Sequence, residues 1–261
     1  MTKTTSADFC KLGLAVIETE MAALQDLTQK IDQSFANACE TLLACQGRVI
    51  VMGMGKSGHI ARKIAATFAS TGTPSFFIHP AEASHGDMGM IQTNDVVVAI
   101  SNSGEAPEII NILPLIKRLN LPLISLSGKS QSTLAAHATI NLDVGVKAEA
   151  CPLGLAPTAS TTVALAMGDA LAIALLTARG FTADDFAKSH PGGQLGRRIL
   201  LKVNQLMHTG DAIPIVNEQA TIDKTLIIMS EKTLGMACVV DMQQKLVGVF
   251  TDGDLRRVFD Q

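Results

Sequence analysis

The residues able to do chemistry gather in a few short segments. Gly53-Met54-Gly55-Lys56-Ser57-Gly58 follows the apolar run Val49-Ile50-Val51-Met52 and leads into a helix-like segment, Ile60 to Phe68. A strand that turns through glycines into a helix aims backbone N–H groups and a positive helix end at one spot, which favours phosphate. Lys56 adds a cation there and Ser57 a hydroxyl. Ser101-Asn102-Ser103-Gly104 repeats the arrangement after Val96-Val97-Val98-Ala99-Ile100. Serine hydroxyls with exposed N–H groups bind phosphate without much charge. Two such loops predict a site for a phosphorylated small molecule.

Proton-moving groups lie elsewhere along the chain. Glu108 falls just inside the helix expected after the serine loop, where a carboxylate also stabilises a helix N-terminus. Glu149, in Lys147-Ala148-Glu149-Ala150, follows a strand ending at Val144 and has no capping duty visible in the sequence. His190, in Ser189-His190-Pro191-Gly192-Gly193, stands apart from any apolar periodicity. His79 and His85 flank a loop at a strand end, and either could touch a ligand or an adventitious metal. His59 and His137 read as structural. No histidines show metal-ligand spacing such as H-E-x-x-H. The only metal contact expected is His79, non-essential or inhibitory, and no cofactor is expected.

Two other glycine motifs fit poorly. Gly53-x-Gly55-x-x-Gly58 matches the dinucleotide fingerprint, which expects an acid about 20 residues on, at the end of the next strand. That strand, Ser75 to Ile78, runs instead into His79-Pro80, and the first acid is Glu82. A P-loop would need glycine where Ile50 stands.

The elements that must hold these groups alternate. Strands are expected at Val49–Met52, Ser75–Ile78, Val96–Ile100, Leu121–Leu126 and Ile140–Val144. Helices are expected at Ile60–Phe68, Pro107–Leu119, Leu134–His137 and Thr161–Arg179. Continuous apolar strands between helices predict a parallel sheet covered on both faces, with ligands beyond the carboxyl ends of its strands. Both serine- and glycine-rich loops fall there. Ahead of the sheet, Leu14 to Leu42 repeats apolar residues at three- and four-residue steps. One helix of that length would span roughly 44 Å, so it is expected to break or to pack on another subunit. After about Arg198, short strands at Ala237–Val240 and Leu246–Thr251, a helix near Ile222–Ser230 and a turn at Asp252-Gly253-Asp254 predict a small β-α-β-β-α unit.

Bulk composition narrows the class. The chain has 261 residues, 47% hydrophobic and 17% charged, enough for a large core in one or two domains. A net charge of −3 and the absence of Trp and Tyr argue against nucleic acid as a partner. Five cysteines without a CxxC pair fit reduced thiols in the cytoplasm. No run of about 18 unbroken apolar residues marks a membrane span.

Taken together, the segments resemble the arabinose 5-phosphate isomerases of Gram-negative bacteria. The matching blocks are Gly53–His59, His79–Glu82 with His85-Gly86-Asp87, Ser101–Glu105, Glu149–Thr158 and Ser189–Gly193. The resemblance implies a flavodoxin-like α/β sugar isomerase (SIS) domain with a five-stranded parallel sheet, over residues 1–202, usually tetrameric. Residues 203–261, with Gly248–Arg257, resemble a small α+β CBS segment. Family members generally carry two in tandem, with a nucleotide cleft between them, so this chain resembles a truncated or naturally short form. The implied reaction interconverts D-ribulose 5-phosphate and D-arabinose 5-phosphate, toward the lipopolysaccharide or capsule sugar KDO. By resemblance Lys56, Glu108, Glu149 and His190 are catalytic. Ser57, Gly72, Thr73, His85, Ser101, Ser103 and Lys147 are implied substrate contacts.

Such an isomerisation moves a proton between C1 and C2 through an enediolate. It needs a base, a donor for the oxyanion and a phosphate anchor. Glu149 or Glu108 is expected to move the proton, His190 to open the ring or shuttle the proton, and Lys56 to stabilise the enediolate. The alternative is a non-catalytic phosphosugar-sensing regulator. Such proteins usually carry an N-terminal DNA-binding helix-turn-helix, and residues 1–45 show no basic recognition helix.

Overall fold

The structure, a computed structural model, describes residues 5–190 and 202–259. It forms two compact units, Met1–Ile199 and Leu200–Gln261.

The first unit is built on five parallel strands: β1 (Val49–Gly53), β2 (Ser75–Ile78), β3 (Val96–Ser101), β4 (Leu123–Ser127) and β5 (Ile140–Asp143). Their order is β2-β1-β3-β4-β5. The unbroken apolar runs are explained by burial on both faces, because successive side chains of a strand point to opposite sides. Val49 and Val51 join one core with Val96, Val98, Ile100, Ile124 and Leu126. Ile50 and Met52 join the other with Val97, Ala99 and Leu123.

The first core is covered by α1 (Ser6–Thr28), α2 (Gln33–Ala44), α3 (Gly55–Ser70) and α8 (Ala159–Ala178). The second is covered by α4 (Pro80–Ser84), α5 (Pro107–Ile110), α6 (Leu113–Arg118) and α7 (Thr133–His137). A further helix, α9 (Ala183–Ser189), follows α8. The long amphipathic stretch does break: Asp32 accepts from the N–H of Ser34 at 2.8 Å and starts α2 afresh. The single helix expected over Pro107–Leu119 is two, because Pro114 has no N–H to continue the ladder and opens a new first turn. The loop expected between His79 and His85 is α4, begun by Pro80 at its first position. α8 is long and apolar enough to cross a membrane by length and composition. Nine of its residues, from Ala159 to Leu175, are buried in this unit, and its Gly168 lies against Ile64 of α3.

In the second unit, β6 (Ile215–Asn217) pairs parallel and β8 (Leu246–Thr251) antiparallel with the central β7 (Met236–Val240). Val216, Met229 and Ala237 form its small core. The expected turn at Asp252 is instead the first turn of a helix, Asp252–Phe259. Asp254 Oδ2 accepts from the Thr251 hydroxyl at 2.8 Å and the Thr251 N–H at 2.9 Å, while the Asp254 N–H reaches back to Thr251 Oγ1. Acids in a first turn favour a helix start as strongly as they favour a turn.

Candidate active site

The chain passes from β1 outward to β2, then returns to β3 on β1's other side. Loops leaving the carboxyl ends of β1 and β3 therefore diverge and leave a crevice, the usual ligand position on such sheets. A cavity of about 310 Å³ lies there, lined by Met54, Ser57, Ile100, Ser101, Asn102, Ser103 and Ala106.

Glycine lets the β1 loop close tightly. A side chain on Gly58 would place its Cβ 2.7 Å from the Gly53 carbonyl, and Gly55 has φ +53°, a left-handed conformation. α3 begins at Gly55 without any side-chain cap, so the N–H groups of its first turn have no internal acceptor. Lys56 is exposed, Ser57 half-buried, and neither ammonium nor hydroxyl is paired among the described residues. In the β3 loop, buried Ser101 accepts at Oγ from the Gly104 N–H at 3.1 Å. Ser103 Oγ accepts from the Glu105 N–H at 3.2 Å. Glu105 in turn accepts from the Thr133 N–H at 2.7 Å, tying the loop to α7. The loop is thus held by its own hydrogen bonds. Glu108 is half-buried in the first turn of α5 and makes no hydrogen bond or ion pair among the described residues.

Glu149 corrects its sequence reading, because it does have a capping duty. Its Oε2 accepts from the Thr158 N–H at 2.8 Å, the Thr158 hydroxyl at 3.0 Å and the Ser160 N–H at 3.3 Å. The carboxylate thereby sits on the N-terminus of α8. Burial pushes it up, while the Ser160 hydroxyl beside it, the N–H groups of Thr158 and Ser160 and, least of these, the Thr158 hydroxyl pull it down. The donors prevail, and Glu149 titrates below its ordinary value. Thr158 and Ser160 escape the sequence reading, which begins this helix at Thr161; the signal is the Ser/Thr run Thr158-Ala159-Ser160 before an apolar stretch.

The two helix ends stand side by side. Gly168 is nine residues into α8 from Ala159 and packs on Ile64, nine residues into α3 from Gly55. Lys63 of α3 pairs with Asp169 of α8 at the same level. Both helices start at the carboxyl edge of the sheet and pack on each other on the same face. Lys56 and Ser57 thus stand at the start of one of these helices and Glu149 at the start of the other.

Several expected contacts lie elsewhere. Gly72 and Thr73 precede β2, at the amino edge of the sheet, opposite the cavity, because all five strands run the same way. The Thr73 N–H is taken by the Phe68 carbonyl at 2.9 Å, and the Phe181 ring packs on Gly72. α9 starts directly after Phe181, at that same edge, and its seven residues advance only about 10 Å. His190 at its end stacks on Phe186 with ring centroids 4.1 Å apart, and its Nδ1 lies 3.0 Å from the Phe186 carbonyl. No hydrogen bond links it to Lys56, Glu108 or Glu149 among the described residues. Pro191, Gly192 and Gly193 lie outside those residues. Lys147 is on the correct edge, but its ammonium is held by Asp26 of α1 at 2.7 Å, beside a separate cavity of about 440 Å³. His79 and exposed His85 bracket α4, which packs on α5. Among the described residues no three His, Cys, Asp or Glu side chains converge to hold a metal.

Comparison with known proteins bears on the same segments. The SIS domain family matches residues 42–174 and the CBS domain family residues 203–261. The chain is 59% identical to the arabinose 5-phosphate isomerase KdsD of Salmonella typhimurium, over 97% of this chain and 77% of the relative. It is 58% identical to the Pseudomonas aeruginosa enzyme of the same name, over 100% of this chain and 80% of the relative. A solved structure of Escherichia coli CFT073 c3406 in complex with arabinose 5-phosphate has a TM-score of 0.70 and 46% identity, covering 72% of this chain and all of that one. The Vibrio vulnificus NanR protein complexed with ManNAc-6P, at 21% identity and TM-score 0.60, covers 78% of this chain and 72% of its own length. It shares the fold alone.

Proposed function

Since the chain belongs to the arabinose 5-phosphate isomerase family, we propose that it interconverts D-ribulose 5-phosphate and D-arabinose 5-phosphate through an enediolate. The observation that carries this reading is the pairing of two helix ends at one sheet edge. One, on α3, opens uncapped beside Ser57, Ser101 and Ser103; the other, on α8, carries an ionised carboxylate. A phosphate in the cavity would take N–H groups of the α3 first turn and the three hydroxyls. That grip would fix the carbon chain for the proton transfer.

Starting from the aldose, the base removes the proton on C2 while negative charge develops on the carbonyl oxygen at C1. Lys56, beside the phosphate loop, would stabilise that oxyanion. The proton returns at C1, and the hydroxyl proton passes from O2 to O1, which completes the ketose without net oxidation. Glu149 is the first candidate for the base, an ionised carboxylate fixed at the start of α8; Glu108 on α5, without a partner among the described residues, is the second. His190 would open the sugar ring or shuttle the proton. His190, Gly72 and Thr73 lie away from this chain's own cavity, so they would join it from a neighbouring copy in a homotetramer. His85 and Lys147 would contact the sugar from the loops after β2 and β5. The product would supply KDO for lipopolysaccharide or capsule in the cytoplasm. The second unit would form its nucleotide cleft with another CBS motif.

Incubation with ribulose 5-phosphate in D2O tests the reading. Arabinose 5-phosphate should form with deuterium at C2. Formation without deuterium would show hydride shift, and binding without turnover would show a phosphosugar sensor. The packing of α1 and α2 on the core through Leu27, Ala38 and Leu42 supports the enzyme, since it spends those helices on the isomerase fold.

A further inference from the structure

Glu149 and Thr158 lie nine positions apart in the chain and close a loop between them. Every hydrogen bond to Glu149 falls on one oxygen, Oε2; among the described residues Oε1 accepts none, and the buried Ser160 hydroxyl beside the carboxylate has no partner. Thr158 contributes twice, through its N–H and its hydroxyl. The hydroxyl also accepts from the Ala150 N–H at 2.8 Å, so it both donates and accepts within the same ring. A hydroxyl so engaged has one rotor setting. It fixes which carboxylate oxygen faces the helix and leaves the other for a proton. The segment between holds itself by a hydrogen bond from the Gly154 N–H to the Cys151 carbonyl at 2.8 Å, with Gly154 at φ +64°. Leu153 and Leu155 at its tip are 78% and 80% exposed, so little packing holds the loop in place. Thr158, with two of the three hydrogen bonds, and the Ser160 N–H, with the third, thus hold the orientation of Glu149.

We propose that Thr158 is a positioning residue for proton transfer, orienting Glu149 so that Oε1 alone meets the substrate. This rests on the isomerase reading and deepens it. Loss of the hydroxyl would orphan the Ala150 N–H, remove one of three donors to Oε2 and let the carboxylate rotate. The base would then be both less ionised near its pKa and less often aligned.

The test compares Thr158→Val, which keeps the shape and N–H but drops the hydroxyl, with Thr158→Ser, which restores it. In Thr158→Val, kcat should fall about tenfold or more with KM within about twofold, since the phosphate grip lies on other loops. The acidic limb of its kcat/KM profile should move to higher pH, and Thr158→Ser should return both. If Thr158→Val fails to fold by circular dichroism, Thr158→Cys, a weaker donor of similar shape, should show the same upward movement to a lesser degree. A 13C-NMR titration of the Glu149 carboxyl reads the clamp without turnover, and its midpoint should rise in the hydroxyl-free variant. An active wild type with an unmoved titration and pH limb would overturn the positioning role while the isomerase reading stood. A moved titration in a protein that never turns over ribulose 5-phosphate would overturn the isomerase reading and with it any catalytic purpose for the clamp. A serine variant as impaired as the valine one would reduce Thr158 to packing.

Discussion

The N-termini of α3 and α8 are the same object put to two uses. Each starts at the carboxyl edge, each offers N–H groups without an acceptor inside the helix and a positive end, and both cover the same face of the sheet. At α8 the protein supplies its own anion, Glu149, and so keeps a carboxylate ionised. At α3 no side chain caps the end, and serines of two loops converge beside it. Capping and ligand binding draw on one electrostatic resource, so a helix that serves a site goes without a cap of its own.

The largest effect should come from disarming the capped end. Glu149→Gln should lower kcat by about 10²–10⁴-fold with little change in KM. Steady-state assay of ribulose 5-phosphate turnover decides this, and near-wild-type kcat would pass the role to Glu108. Making α3 resemble α8 comes next. Ser57→Asp puts a carboxylate into the first turn, where it suits the helix but repels phosphate. KM should rise by about 10²-fold, given roughly 4 kcal/mol between like charges near a surface, partly screened. The melting temperature should hold or rise slightly, and a collapse of folding would mean that Ser57 is structural.

Packing beneath the α3 end sets a smaller effect. Gly58→Ala would force its Cβ within 2.7 Å of the Gly53 carbonyl, so α3 must shift from β1. A stability loss of about 1–3 kcal/mol is expected from urea unfolding, with weaker phosphosugar binding. Unchanged stability would show that the helix end is more pliable than its glycines suggest. The smallest effect is in pH. Because the folded pKa of Glu149 lies below its ordinary value, its contribution to stability is present above the unfolded glutamate pKa. That contribution is lost as pH falls through the lower folded value. Acid unfolding of Glu149→Gln should lack this component, and identical acid profiles would show the α8 cap to be energetically silent.

Much of the frame is legible in the sequence because it is local. Val49–Met52 and Val96–Ile100 read as buried strands, and the loops after them place Lys56, Ser57, Ser101 and Ser103 at one sheet edge, where the structure has them. Glu149 is recognisable as a carboxylate on the ligand side, yet its cap is not, since its partners Thr158 and Ser160 return to it only after the chain loops round. Pro114 is visible too, but the apolar pattern around it outweighs its power to split a helix.

Residue order thus sets the strands, the glycine turns and the candidate chemistry, because periodicity and backbone freedom are properties of neighbours in the chain. Which groups share an edge is settled by long-range packing instead. Gly168 against Ile64 packs α8, whose start holds Glu149, onto α3, and the common strand direction puts Gly72, Thr73 and the start of α9 at the opposite edge. Strand order and helix packing are choices made by burial, and burial joins residues that no spacing rule connects.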